Sequence, residues 1–350
     1  SRGHRVDVCE LSGRRSTVCA GVGRSDRAGS LTMAGRRGLF WDWIVSMVSI
    51  GFCRLTAAFP LPVARAIGKA LGALSYYAAP RVRRISLANL DLAFGDSVSP
   101  REKRRIARQA ASNIGIVAAE FARIRQLRGE FLRQQVVLKG LERLDAKRGI
   151  LLIGGHIGNW EWMGSVLTGH GFPFVGVVRP LDAPRLNAFV DTTRRANGVI
   201  TLPKEGAGRE VVRLLQEGCV VGILIDQSPR EAGVPVRFFG HPCWGTIAPM
   251  VTAVRAGSPI HVASMVRQSD GTYVMEFSPA VEMVRTDDLL GDFEVNCQRC
   301  QDAVEAVVRR HPEQWLWAHR RWKARARLEA EWADRCARRG ASRASDGTSA

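Results

Sequence analysis

The chain has 350 residues, 46% apolar and 24% charged, which is enough for a sizeable core and too apolar for disorder along its whole length. A net charge of +18 calls for a polyanionic partner: nucleic acid, an anionic membrane face, an acidic carrier protein or a phosphorylated substrate. Eight cysteines scattered through so long a chain argue against a disulfide framework, and the lone Cys297-x-x-Cys300 pair, with no second pair or nearby histidine, reads as idle thiols and not as a metal site.

Residues 1–32 are rich in Arg, Gly and Ser without apolar periodicity and are expected to be a non-native or disordered extension. Residues 33–84 are expected to form a membrane-anchoring helical segment. Trp43 to Cys53 is a run of eleven uncharged residues, short of the roughly 20 that a spanning helix needs. Pro60 and Pro62 then interrupt the pattern. Trp41, Trp43, Tyr76 and Tyr77 suit a membrane interface, and Arg36, Arg37, Arg81, Arg83 and Arg84 suit anionic head groups. The alternative is a buried helical hairpin.

Within 85–325, Ser99 and Pro100 open a helix carried to about 127 by Ile106, Ala110, Ile114, Val117 and Phe121. Beyond 136, short β-like runs at 150–153, 173–178, 198–202, 219–225, 259–266 and 273–278 alternate with helical patterns near 160–168, 184–196, 206–217 and 246–256. This alternation predicts an α/β layered domain with a largely parallel central sheet. A last helix is expected over 289–310, and 326–350 reads as a basic, disordered tail.

The strongest chemical signal is Ile150-Leu151-Leu152-Ile153-Gly154-Gly155-His156-Ile157-Gly158-Asn159-Trp160-Glu161. A strand runs into two glycines and a histidine, then opens a helix; sites in α/β sheets form at such strand ends. Glu161, five residues on, is placed to hold one ring nitrogen of His156 and leave the other as a base. A hydroxyl needs such a base before it becomes a useful nucleophile. The packed, hydrogen-bonded histidine is the alternative. No H-E-x-x-H, G-x-S-x-G or P-loop pattern is present.

The stretch resembles the H-x4-D/E motif of glycerolipid-type acyltransferases, and the chain more closely resembles the late acyltransferases of lipid A biosynthesis. Further blocks match in order: Asn89-Leu90-Asp91-Leu92-Ala93-Phe94, Val178-Arg179-Pro180, Asp226-Gln227, Val236-Arg237-Phe238-Phe239-Gly240, and Pro312-Glu313-Gln314-Trp315-Leu316-Trp317 with His319-Arg320-Arg321-Trp322-Lys323. The resemblance spans about 39–325.

It implies a glycerolipid-acyltransferase-like fold, with His156 as general base and Glu161 as the residue that orients it. It implies an acyl thioester donor on acyl carrier protein or CoA, no metal or other cofactor, and a hydroxyl of a glucosamine-based glycolipid as acceptor. Arg179 is then expected to bind acceptor phosphate or polarise the donor carbonyl. Asn159, Asp226 and Gln227 are expected to line or orient the substrate site. Arg320, Arg321 and Lys323 are expected to face phospholipid, and His319 receives no chemistry. The expected location is the cytoplasmic face of a bacterial inner membrane, with anionic lipid and the acidic carrier as partners and no nucleic acid.

Two other readings stand beside this one. The His-Ile-Gly-Asn-Trp run also resembles phosphatidylinositol mannoside acyltransferases, which would change the acceptor. A basic nucleic-acid-binding or scaffold protein would explain the charge but not the glycine-flanked histidine.

Overall fold

The computed structural model describes residues 36–145 and 148–347, and the expectation for 1–32 lies outside them, as do the side chains of Arg36 and Arg37. Helices α1 (Arg36–Ala58), α2 (Leu61–Ala78), α3 (Pro80–Phe94) and α4 (Pro100–Phe121) come first. Ser99 accepts from the Glu102 N–H and Pro100 takes the first turn of α4, as the sequence predicts. Then follow α5 (Gly129–Gln135), β1 (Val136–Lys139), β2 (Ile150–Gly154), α6 (Trp160–Gly169), β3 (Phe174–Val178), α7 (Pro184–Arg195), β4 (Ile200–Pro203), α8 (Gly208–Gln216) and β5 (Val220–Leu224). The hairpin β6 (Gly233–Phe238) and β7 (His241–Thr246) precedes α9 (Ala248–Ala256), β8 (Ile260–Arg267), β9 (Tyr273–Ala280), α10 (Leu289–Arg310) and α11 (Ala326–Gly347).

Seven strands form one sheet in the order β1-β9-β8-β2-β5-β3-β4. Every pairing is parallel except β8 with β9. The fold is therefore α/β with a mostly parallel central sheet. All five residues of β2 are buried, the mark of a strand covered on both faces. Its side chains alternate between two cores. Leu151 and Ile153 join Val211, Leu214, Met250 and Val304 on one side; Ile150 and Leu152 join Trp162, Val166, Phe121 and Met275 on the other. The parallel strands β2, β5 and β3 end at one edge, so the segments bearing His156, Asp226 and Arg179 emerge together.

The amino-terminal hairpin is fastened to this body. Gly68 and Gly72 of α2 lie against Gly115 and Ala111 of α4. A Cβ on Gly115 would sit 2.0 Å from the Gly68 carbonyl oxygen, so glycine alone permits this approach. Buried Arg123 donates to the carbonyls of Thr56 and Ala57 at the end of α1, satisfying groups the helix leaves open. The outer face of the hairpin keeps Trp41, Trp43, Val48, Leu55, Leu71, Leu74 and Tyr77 exposed, with Trp41 at 64%. Among the described residues no helix is long and apolar enough to cross a membrane.

Two expectations are corrected, and one element was not expected. The tail expected to be disordered over 326–350 is helical to Gly347, because Leu328 and Trp332, one turn apart, pack on the core beneath an arginine-rich surface. Arg321, expected on a basic outer face, is completely buried and donates to the Trp244 carbonyl and to Gln301. The β6–β7 hairpin, unforeseen, turns through Phe239 and Gly240, both with positive φ (53° and 76°), as a two-residue hairpin turn requires.

Candidate active site

Beyond β2 the chain leaves the sheet as a tight loop, Gly155 to Asn159, before α6. Gly158 has φ +60° and lies so close to β8 that a Cβ would meet the Met265 carbonyl oxygen at 1.8 Å. The Asn159 N–H donates to that same carbonyl, at 2.9 Å. On the other side, the Gly158 N–H donates to the Gln314 carbonyl and the Leu316 N–H donates to the His156 carbonyl. The loop is held between β8 and the segment after α10.

Asp226, two residues past β5, is completely buried and grips His156 twice. Its Oδ2 accepts the His156 backbone N–H at 2.7 Å, and its Oδ1 lies 2.8 Å from His156 Nδ1. The indole N–H of Trp315 donates to Oδ2 at 2.8 Å. A carboxylate only accepts, so Nδ1 carries the hydrogen and Nε2 is left with a lone pair. Nε2 has no hydrogen-bond partner among the described residues. Burial raises the Asp226 pKa, but the His156 charge and hydrogen bonds outweigh it and hold the carboxyl well below its usual range. Burial pulls His156 down, while Asp226 and then Glu161 pull it up, and the net direction is upward.

Glu161 does not hold the histidine ring. Its carboxylate takes two hydrogen bonds from Arg194, from Nε at 3.1 Å and Nη2 at 2.9 Å, and a third from the Trp160 indole. The expected pairing assumed helical spacing between positions 156 and 161. The helix starts only after Asn159, its N-cap, so His156 lies on the loop before it. Asn159 is itself completely buried; its Oδ1 caps the Trp162 N–H, so it shapes the site without lining a substrate pocket. Asp226, expected in that pocket, is buried behind His156 instead. Gln227 is exposed beside it. Arg179 is exposed on the turn after β3 and pairs with Asp182 at 2.6 Å.

Sequence reading did not reach Arg194 or the functions of Trp315, His319 and Asn89. The Nε2 of His319 lies 2.8 Å from the Asp226 carbonyl oxygen and its Nδ1 2.5 Å from that of Leu316. The Asn89 amide donates to the carbonyls of Trp317 and His319, both at 2.7 Å. Two blocks of the sequence more than 220 positions apart therefore meet in the segment that braces Asp226. Their residue types were visible; their contact was not. Among the described residues no cluster of three His, Cys, Asp or Glu side chains is arranged to hold a metal ion. A neutral imidazole with one nitrogen free, backed by a buried carboxylate, is equipped to take a proton from a hydroxyl and stabilise the imidazolium that forms.

Comparison with known proteins gives a consistent picture. Residues 38–324 match the family model described as bacterial lipid A biosynthesis acyltransferase. The chain is 26% identical over 291 residues to the lipid A biosynthesis lauroyltransferase of Escherichia coli, covering 81% of this chain and 92% of that one. It is 26% identical over 283 residues to the palmitoleoyltransferase of the same organism, covering 79% and 90%. Phosphatidylinositol mannoside acyltransferase of Mycolicibacterium smegmatis matches at 27% over 185 residues, 52% of this chain and 59% of that one.

Proposed function

Because the chain belongs to the bacterial lipid A biosynthesis acyltransferase family, we propose that it moves a fatty acyl group from a thioester, on acyl carrier protein or CoA, to a hydroxyl of a glucosamine-based lipid A precursor. The observation that carries the mechanism is the His156–Asp226 pair. Nε2 of His156 takes the proton of the acceptor hydroxyl, and the oxygen attacks the thioester carbonyl. The tetrahedral oxyanion collapses, the C–S bond breaks, and the thiolate leaves with the proton carried by His156. Asp226 keeps the ring in the reactive tautomer and lowers the cost of the imidazolium.

Glu161 adds negative charge near the ring, tempered by Arg194. Arg179 and Gln227, exposed on loops at the same sheet edge, are the groups available to acceptor phosphate or to the donor. The apolar outer face of α1 and α2, flanked by exposed Arg54, Arg81 and Arg84, supports an enzyme resting on anionic lipid at the cytoplasmic face of the inner membrane. The same positive charge suits an acidic carrier protein.

Purified His156→Ala protein, assayed by mass spectrometry for addition of one acyl chain to the lipid A precursor, tests the reading. Loss of transfer with retained folding supports it, and near-parent transfer overturns it. Thin-layer separation of radiolabelled products from lipid A precursor and phosphatidylinositol mannoside, offered side by side, decides between the two acceptors that the relatives' names suggest.

A further inference from the structure

A second buried carboxylate lies apart from the acyl-transfer pair. Glu120, at the end of α4, is completely buried. Its Oε1 accepts from Nε of Arg65, on α2, at 2.5 Å. Its Oε2 accepts from the Asn159 amide nitrogen and the Tyr273 hydroxyl, both at 2.6 Å. Its carbonyl oxygen accepts from the Trp162 indole at 3.1 Å. Burial and the Glu120 charge push the Tyr273 phenol well above its ordinary range, so it remains a donor. A dry carboxylate is costly unless its oxygens are matched, and here a cation and two neutral donors match them.

Stability alone does not account for the choice of partners. Asn159 uses both ends of its amide: Nδ2 donates to Glu120, and Oδ1 accepts the Trp162 N–H that begins α6. An amide can flip, and a flipped one would set its NH2 against that N–H. A carboxylate, which only accepts, permits one orientation. Glu120 thereby selects the rotamer of Asn159 that caps α6. The N–H of Asn159 is at the same time bonded to the Met265 carbonyl, three residues after His156.

We propose that Glu120 is a positioning residue for acyl transfer: through the amide of Asn159 it holds the amino end of α6 and the loop that presents His156, and through Arg65 it ties the amino-terminal hairpin to that loop. The inference rests on His156 being the base. It makes the hairpin a mechanical neighbour of the active site: Arg65 reaches from α2 past Tyr273, with its Nη2 also bonded to Gln135.

A double-mutant cycle on the full chain tests it, with kcat, donor KM and thermal unfolding measured for Glu120→Gln, Asn159→Ala and the pair together. Each single change is expected to lower kcat about tenfold or more, since a small misplacement of a reacting group is costly. KM should stay within about threefold, and the double variant should be no slower than the worse single one, as coupled residues behave. Tyr273→Phe removes a donor from the same carboxylate oxygen without touching Asn159. It should lower the unfolding temperature and leave kcat near the parent value. Losses of kcat that multiply in the double variant overturn the proposal. So does a Tyr273→Phe protein as slow as Asn159→Ala, which remains decisive even if Glu120→Gln does not fold. His156→Ala, run alongside, separates the two levels: if it still transfers acyl groups, the assignment of the base has failed, whatever the cycle shows.

Discussion

His156 and Asp226 are joined at two points: the Asp226 carboxylate receives the ring Nδ1–H at 2.8 Å and the backbone N–H at 2.7 Å. One side chain therefore fixes both the orientation of the imidazole and the path of the tight loop that carries it. Trp315 and His319 hold Asp226 from behind, through its carboxylate and its carbonyl. The ring is held on its Nδ1 side and open only at Nε2, the geometry that the proposed general-base role requires.

The acid limb of the pH–rate profile should report His156, which must be neutral to act. Its pKa is raised above 6.5 because Asp226 and Glu161 together outweigh burial. Activity is therefore expected to be full above the raised value and to fall, as pH drops through it, earlier than for an unperturbed histidine. Glu161→Gln removes one of the raising charges, so its limb should lie at lower pH than the parent's. A limb that moves upward or stays in place would remove Glu161 from the electrostatics of the ring. Steady-state kcat/KM against pH is the measurement.

The hairpin contact predicts opposite outcomes for two glycine-to-alanine changes. Gly51, on α1, has no neighbour within 4 Å of a would-be Cβ, whereas that of Gly115 collides with the Gly68 backbone at 2.0 Å. Gly51→Ala should be neutral or stabilise by up to about 1 kcal/mol, from helix propensity. Gly115→Ala should destabilise by roughly 1–3 kcal/mol, because overpacking exceeds that gain. Urea unfolding midpoints decide.

Thiol labelling should separate the described cysteines. Burial pushes the Cys53 thiol up to about 11 and that of Cys300 up to about 12, and raises Cys243 and Cys297 as well. Cys336 is exposed. In a Cys9→Ser, Cys19→Ser background, maleimide at neutral pH should modify Cys336 first, at least about 100-fold faster than the buried thiols, which need unfolding. Mass spectrometry of the intermediate product reads the site.

Asn89→Ala leaves the Trp317 and His319 carbonyls without their shared donor. The His319 carbonyl keeps the Arg321 N–H at 3.1 Å, but the buried Trp317 carbonyl is left unpaired, and a loss of about 1–3 kcal/mol is expected. Because the same segment holds Asp226, kcat should fall together with stability. Unchanged kcat in a destabilised Asn89→Ala protein would uncouple that segment from the chemistry.

Much of the layered core was legible because buried parallel strands announce themselves. Ile150–Ile153, Val220–Leu224 and Ile260–Val266 are apolar runs at the predicted places. The β6 strand escaped notice although Val234, Val236 and Phe238 alternate with outward Pro235 and Arg237, since a proline within a short run weakens the strand signal. At the candidate active site, His156 stood out in the sequence through its glycines, but its hydrogen-bond partner did not. Glu161 is near in sequence, while Asp226 is near in space because β5 pairs with β2, and strand order is a property of the whole sheet that no local spacing encodes. The matched Asp226-Gln227 block contained the residue that bonds His156, but the contact expected for it was a different one.

The most direct test is the rate of acyl transfer by Asp226→Asn set against that of Glu161→Gln, both folded and both assayed at the parent's optimum. An asparagine at 226 is able to present its NH2 to Nδ1 and so favour the wrong tautomer. A loss of kcat on the order of 10³–10⁴-fold is expected, as when the buried carboxylate of a histidine base is neutralised. Glu161→Gln keeps a side chain that Arg194 can still bond and is expected to cost no more than about tenfold. The reverse ranking, with Glu161→Gln crippled and Asp226→Asn near the parent rate, would show that Asp226 is not the carboxylate that drives the base.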